Sequence, residues 1–327
     1  MNITTFTSKM NMTTVTANKR SLVSWVIALS LLALLAAAPL YAPGYPVILL
    51  TSILLNIILT LSWVMFSGPT GYISLATAAF VGVGIYTSAI LGNHLSLIVV
   101  VILGGLASFI LAILVGALTL RLRGIYFSVF TFGLVELIKN FALFFELHVT
   151  GTRGRFVIPV GPLTVFYIMF IIFAALLLTS YLLRRSKFGL ALQSIGQNED
   201  ASAHIGVNVT LVKIVTFAVS AFFIGAAGAI IATRWTYIDP LIAFNPLFSF
   251  TPVLMALFGG VGELYGPVLG ATVFSYLEEF LITRFAELYQ LLMGAILIIS
   301  ILYLPHGLVG LVEKLWKRVS GGQHANS

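Results

Sequence analysis

Cysteine is absent from this chain of 327 residues and charge is scarce, at 8% of residues where a soluble domain carries about a quarter. Without cysteine there is neither a disulfide framework nor a thiolate metal site. No lysine follows a glycine, so the phosphate-cradling loop GxxxxGK[ST] is missing and ATP cannot be held by that route. The histidines His94, His148, His204, His306 and His324 show no metal-ligand spacing, and no nucleophile elbow occurs. No catalytic residue set, metal or cofactor is therefore expected. A formal charge of +7 would suit nucleic acid if it were gathered into one patch. The basic residues stand instead at the ends of apolar blocks, which excludes a nucleic-acid partner.

What the chain has in abundance is apolar surface: 60% of residues are hydrophobic and the mean hydropathy is +1.09. The apolar residues come in blocks of roughly twenty, the length that crosses about 30 Å of hydrocarbon as a helix. The blocks run approximately 22–38, 46–66, 73–91, 95–120, 125–145, 163–183, 214–232, 246–258, 264–282 and 288–304. The pattern predicts an all-α polytopic membrane bundle of about ten transmembrane helices, filling the whole chain as one transmembrane domain. With both termini in the cytoplasm, twelve lysines and arginines fall inside, among them Arg121, Arg123, Arg184, Arg185, Lys187 and Lys213. Only Arg153, Arg155, Arg234 and Arg284 fall outside, and Lys139 lies within a helix. The Lys/Arg bias of short loops therefore gives cytoplasmic tails at 1–21 and 312–327. An alternative reading makes the first block a cleaved signal peptide.

One polar stretch, 184–212, is long enough to build something of its own, and it faces the cytoplasm. Leu192, Ile195, Ala203 and Ile205 lie among polar residues there, which predicts one or two short surface helices with breaks at Gly196 and Gly206. The stretch reads as an interaction element, or else as an amphipathic connector lying on membrane lipid. Glycines mark two further segments, SGPTG with Gly68 and Gly71, and GGVGELYG with Gly259, Gly260, Gly262 and Gly266. Small faces for close helix packing are one reading. Helix breaks at membrane depth, tolerated where backbone is buried in protein or lines a cavity, are the other. The two segments are loosely alike and are candidates for matching positions of an internal repeat.

Glu136 falls near the middle of the fifth block, where an isolated charge costs on the order of 2.5 to 3.5 kcal/mol. Lys139, three residues on, shares its helix face and predicts an intrahelical pair, and a proton path is the rival reading. Glu278, Glu279 and Asp239 read as docking or solvated charges.

Five motifs in order resemble the LivM-type permeases of branched-chain amino acid ABC importers. They are SGPTGYISLATAAFVGVGIYTSAIL, LRLRGIYFSVFTFGLVELIKN, FGLALQSIGQNEDASAHIGVNVTLVK, LFGGVGELYGPVLGA and LPHGLVG. The resemblance implies a permease of the inner membrane without ATPase activity of its own. Its implied partners are a second, LivH-like permease, two cytoplasmic ATP-binding subunits and an extracytoplasmic substrate-binding protein. It implies that the 184–212 loop docks on an ATPase, with Gly189, Asn198, Glu199, Ala201, Ala203 and Gly206 at matching positions. Ser74, Thr77, Thr131 and Glu136 are the polar candidates for a translocation path. The chain departs from the family at Ala76 and Thr77, where Gly and His are common, and at Leu190 and Gln193, where arginines are usual. The first departure opens the substrate to urea, short amides or aromatic acids, and the second points to a differently charged ATPase cleft. An ion-coupled carrier acting alone is the reading from another class.

Overall fold

The computed structural model describes residues 44–262 and 265–285 without interruption, with residues 30, 32–41, 287–288, 291–296, 298, 307–308 and 310 besides. Both predicted tails, most of the tenth block and the first part of the first block, where the signal-peptide alternative begins, lie outside the described residues. Two compact units meet at Ile48 and Leu49. The first holds helix α1 (Leu32–Tyr41) and the opening turn of α2 (Tyr45–Thr70).

After α2 the chain runs extended from Gly71 to Ala76 and then forms α3 (Thr77–Leu91), α4 (Leu97–Thr119) and α5 (Ile125–Phe145). A π-helical turn, Glu146–Thr150, and strand β1 (Arg155–Phe156) lead to α6 (Pro162–Arg185). Two short helices, α7 (Lys187–Gln197) and α8 (Glu199–His204), precede α9 (Val209–Ile231). Strand β2 (Tyr237–Ile238) pairs antiparallel with β1, and α10 (Pro240–Ala243), α11 (Leu247–Gly259) and α12 (Tyr265–Arg284) follow. Six of the described helical spans are long and apolar enough to cross a membrane: 45–70, 97–119, 125–149, 162–185, 209–234 and 240–259. The chain is a multi-pass membrane protein.

The seventh block becomes the centre of the bundle, because α9 presents small residues to α3 and α4. A β-carbon on Gly84 would collide with the Gly225 carbonyl, one on Gly225 with Ser108, and one on Gly228 with the Val81 carbonyl. Apolar tails in lipid give helices no hydrophobic reason to associate, so this close approach of backbones supplies the packing energy. Phe217 of α9 packs edge-on or tilted among Phe66, Phe80 and Phe127. The fifth helix is the opposite case. Only 17% of its most apolar stretch is buried within the chain, against 78% for α9, so its outer face meets lipid or another subunit.

Three features depart from the sequence reading by more than an end shift. The second helix continues through Pro69 to Thr70, and the interruption falls at 71–76, not at SGPT itself. Gly71 ends it with φ of +73°, a conformation that costs glycine little. At 15 residues α3 rises about 22 Å, short of the hydrocarbon thickness, and the extended residues before it make up the difference. Gly196, expected as a break, lies inside α7; the break is Asn198, whose side chain accepts from the Ala201 amide at 3.0 Å and starts α8.

Candidate functional site

The polar 184–212 stretch folds as the two predicted short helices because each has its cap. Ser186 accepts from the Gly189 amide at 3.3 Å, Asn198 caps α8, and Asn208 accepts from the Leu211 amide at 3.1 Å to start α9. The Ser194 and Ser202 hydroxyls join α7 to α8 at 2.7 Å. Leu192 and Ile195 form a small core with Val212, covered by Leu183, Ala191, Val207 and Val209. Phe188, Leu190 and Ile205 stay exposed, the last two at 64% and 75%.

Underneath, an ionic cluster ties these helices to the bundle. Lys213, one turn into α9 and 1% exposed, donates to Glu199 Oε1 at 2.8 Å, to the Leu120 carbonyl at 3.0 Å and to Tyr72 Oη at 3.3 Å. Tyr72 in turn donates to Glu199 Oε2 at 2.6 Å. Outside that core Arg123 grips both oxygens of Asp200, at 2.8 and 3.3 Å. Burial alone would raise the Glu199 carboxyl. The hydrogen bonds from Lys213 and Tyr72, with the Lys213 and Arg123 charges, outweigh it and hold the group below the ordinary glutamate range. The Arg123 hydrogen bonds lower Asp200 in the same way.

Tyr72 belongs to the unwound stretch 71–76, whose backbone groups are satisfied by side chains of three helices. Trp63 of α2 donates to the Ser74 carbonyl at 2.8 Å, and Ser128 of α5 to the Ile73 carbonyl at 2.7 Å. Thr131 of α5 accepts from the Leu75 amide at 3.1 Å. Ser249 of α11 donates to the Leu75 carbonyl at 2.6 Å and accepts from the Ala78 amide at 3.0 Å. Irregular backbone in a membrane protein needs this kind of cover.

Of the residues expected on a translocation path, the structure brings Ser74, Thr77 and Thr131 together around this stretch, all buried. Ser74 and Thr77 border a cavity of about 10 Å³ with Ser67 and Ser220. Glu136 stands apart on α5, in the expected pair with Lys139. The glycine segments lie side by side: Gly68 sits against Val261, Gly259 and Gly266 bring α11 onto α12, and Gly260 turns the chain with φ of +102°. Among the loop residues, Asn198 is a cap and the Glu199 carboxylate points inward. Gly189 lies under the Leu183 carbonyl, Ala201 and Ala203 lie on α8, and Gly206 follows it.

Tyr72, Lys213, Asp200, Ser128 and Ser249 were not singled out by the sequence. One signal existed for Lys213: an ionisable residue inside an apolar span marks a function or a partner, and the charge bias absorbed it as an ordinary inside lysine. At the other end of the bundle Glu146, 2% exposed, accepts from Tyr86 at 3.0 Å and from the Gly154 amide at 2.8 Å. Arg153 pairs with Asp239 at 3.0 Å, and Asp239 also caps α10. A mostly apolar cavity of about 640 Å³ opens there between α3, α4 and α5, bordered by Tyr86, Leu106, Phe141, Glu146 and Arg155. Among the described residues, Lys213, Glu199, Arg123 and Asp200 thus cluster at one end of the bundle and Glu146, Arg153 and Asp239 at the other. Among the described residues no group of three acids or histidines could hold a metal ion.

Comparison with known proteins gives a family and several relatives. The family model described as branched-chain amino acid transport system / permease component matches residues 45–301. The chain is 26% identical to the high-affinity branched-chain amino acid transport system permease protein LivM of Salmonella typhimurium, over 90% of this chain and 76% of the relative. It is 26% identical to the LivH permease of the same organism, over 45% of this chain and 47% of that one. Against the ribose import permease RbsC of Haemophilus influenzae the identity is 30%, over 41% and 42%. No solved structure matches.

Proposed function

Since the chain belongs to the branched-chain amino acid transport permease family, we propose that it is one of two permease subunits of an ABC importer in the inner membrane. On this reading it moves branched-chain or related hydrophobic amino acids into the cytoplasm. Two ATP-binding subunits drive it, a LivH-like permease pairs with it, and an extracytoplasmic binding protein delivers the solute. The observation that carries the proposal is the extent of the likeness to LivM, which covers nearly the whole chain where the likeness to the ribose permease covers under half.

The 184–212 loop is the ATPase docking element. Phe188, Leu190 and Ile205 support this, since they are exposed apolar side chains on the two short helices, the kind of surface that a partner covers. ATP binding on the partners then favours one of two permease arrangements by binding it more tightly. An ion-coupled carrier would use an intramembrane acid such as Glu136 or the pair Glu278 and Glu279, and of these Glu136 is paired with Lys139.

Co-purification of the ATP-binding subunits with wild type and with Leu190→Asp plus Ile205→Asp tests the docking role. The proposal expects the ATPase to be lost from the double variant while the permease still folds. Undiminished co-purification would remove this surface from the interface.

A further inference from the structure

Lys213 spends all three of its N–H donors, the full inventory of an ammonium, on three different elements: α8 through Glu199, the unwound stretch through Tyr72, and the end of α4 through the Leu120 carbonyl. Its ammonium also lies 4.5 Å from the centre of the Tyr72 ring. Arg123 and Asp200 make a second, outer tie, but both side chains are well exposed, at 61% and 70%, and such pairs contribute little. The inner tie is therefore the firm one. Gly196 of α7 adds contact without charge, lying directly on the Pro69 carbonyl at the end of α2.

The stretch 71–76 has no ladder of its own. Its backbone is held by Ser128 and Thr131 of α5 and by Ser249 of α11, so a displacement of Tyr72 must move those helices or break those bonds. With so little of α5 buried inside the chain, few contacts resist its movement.

We propose that Lys213 is a positioning residue for transport, carrying movement of α7 and α8 through Tyr72 into the unwound stretch 71–76 and from there to α5. The proposal rests on the docking role of the loop argued above. It assigns Lys213 the task of a strut between two moving parts, and Tyr72 that of the shared contact.

The cysteine-free chain allows spin labels to be placed cleanly, at Lys187 on α7, outside the docking residues named above, at Leu137 on α5 and at Ile110 on α4 as reference, all exposed positions. Distances from position 187 and from position 137 to position 110 are measured by pulsed electron spin resonance in the complete importer, without nucleotide and with ATP and vanadate. In wild type both distances shift. In Lys213→Met the distance from 187 still shifts and the distance from 137 does not, and solute taken up per ATP hydrolysed falls while hydrolysis continues. Tyr72→Phe, which keeps the ring and deletes only the hydroxyl, gives the same separation and decides the matter should Lys213→Met fail to assemble. Equal shifts in the variants and in wild type overturn the strut while leaving the transporter reading standing. No nucleotide-dependent shift in wild type overturns both.

Discussion

Gly196 lies against the Pro69 carbonyl oxygen with no room for a β-carbon. The contact joins the helix α7 to the end of α2 two residues before the chain unwinds at Gly71, and it sets how closely α7 approaches α2. Gly196→Val must push the two backbones apart. Overpacking of this kind costs about 1–3 kcal/mol, and thermal unfolding of the purified permease should show the loss, together with faster tryptic cleavage at Lys187.

Ser249 serves two backbone groups at once, the Leu75 carbonyl and the Ala78 amide. Ser249→Ala leaves both buried without that partner, at about 1–3 kcal/mol for each unmet group. A lowered unfolding midpoint is expected, and a midpoint equal to wild type would show that the stretch 71–76 does not depend on α11.

The Glu199 carboxyl sits below its ordinary range in the folded protein, so its contribution to stability is complete above the unfolded value, about 4.3, and fades as pH falls through the folded value. Wild type should exceed Glu199→Gln in unfolding midpoint at neutral pH, with the gap narrowing in acid below the unfolded value. A gap that widened in acid would mean that the carboxylate is not held by Lys213 and Tyr72.

Glu136 and Lys139 form an ion pair on α5 with the lysine only 15% exposed. Removing one charge leaves the other without its partner, whereas removing both does not. A double-mutant cycle of Glu136→Gln and Lys139→Met in thermal unfolding should give a coupling of about 0.5–3 kcal/mol. Zero coupling would return Glu136 to the list of groups available for proton movement.

Much of the fold was legible because a membrane span needs only length and hydropathy. The fifth block matched α5 at both ends, and the fourth, sixth and seventh differed from their helices by a few residues. Where backbone departs from helix, the signal weakens. Ile73 and Leu75 are apolar, so hydropathy ran a helix through them, whereas most of the bonds that hold 71–76 unwound come from Ser128, Thr131 and Ser249, far away in sequence. Glu199 was found as a loop residue but its inward direction was not, because that depends on Lys213 and Tyr72, which lie 14 and 127 positions away. Gly196 read as a break for the same reason: its neighbour Pro69 belongs to another helix.

The most direct measurement is uptake of labelled leucine by proteoliposomes holding this chain, its partner permease, the ATP-binding subunits and the binding protein. Saturable uptake that requires ATP is expected, with competition by isoleucine and valine but not by urea or ribose, and with loss of uptake in Leu190→Asp plus Ile205→Asp. Uptake by this chain without any ATP-binding subunit would contradict the proposed function.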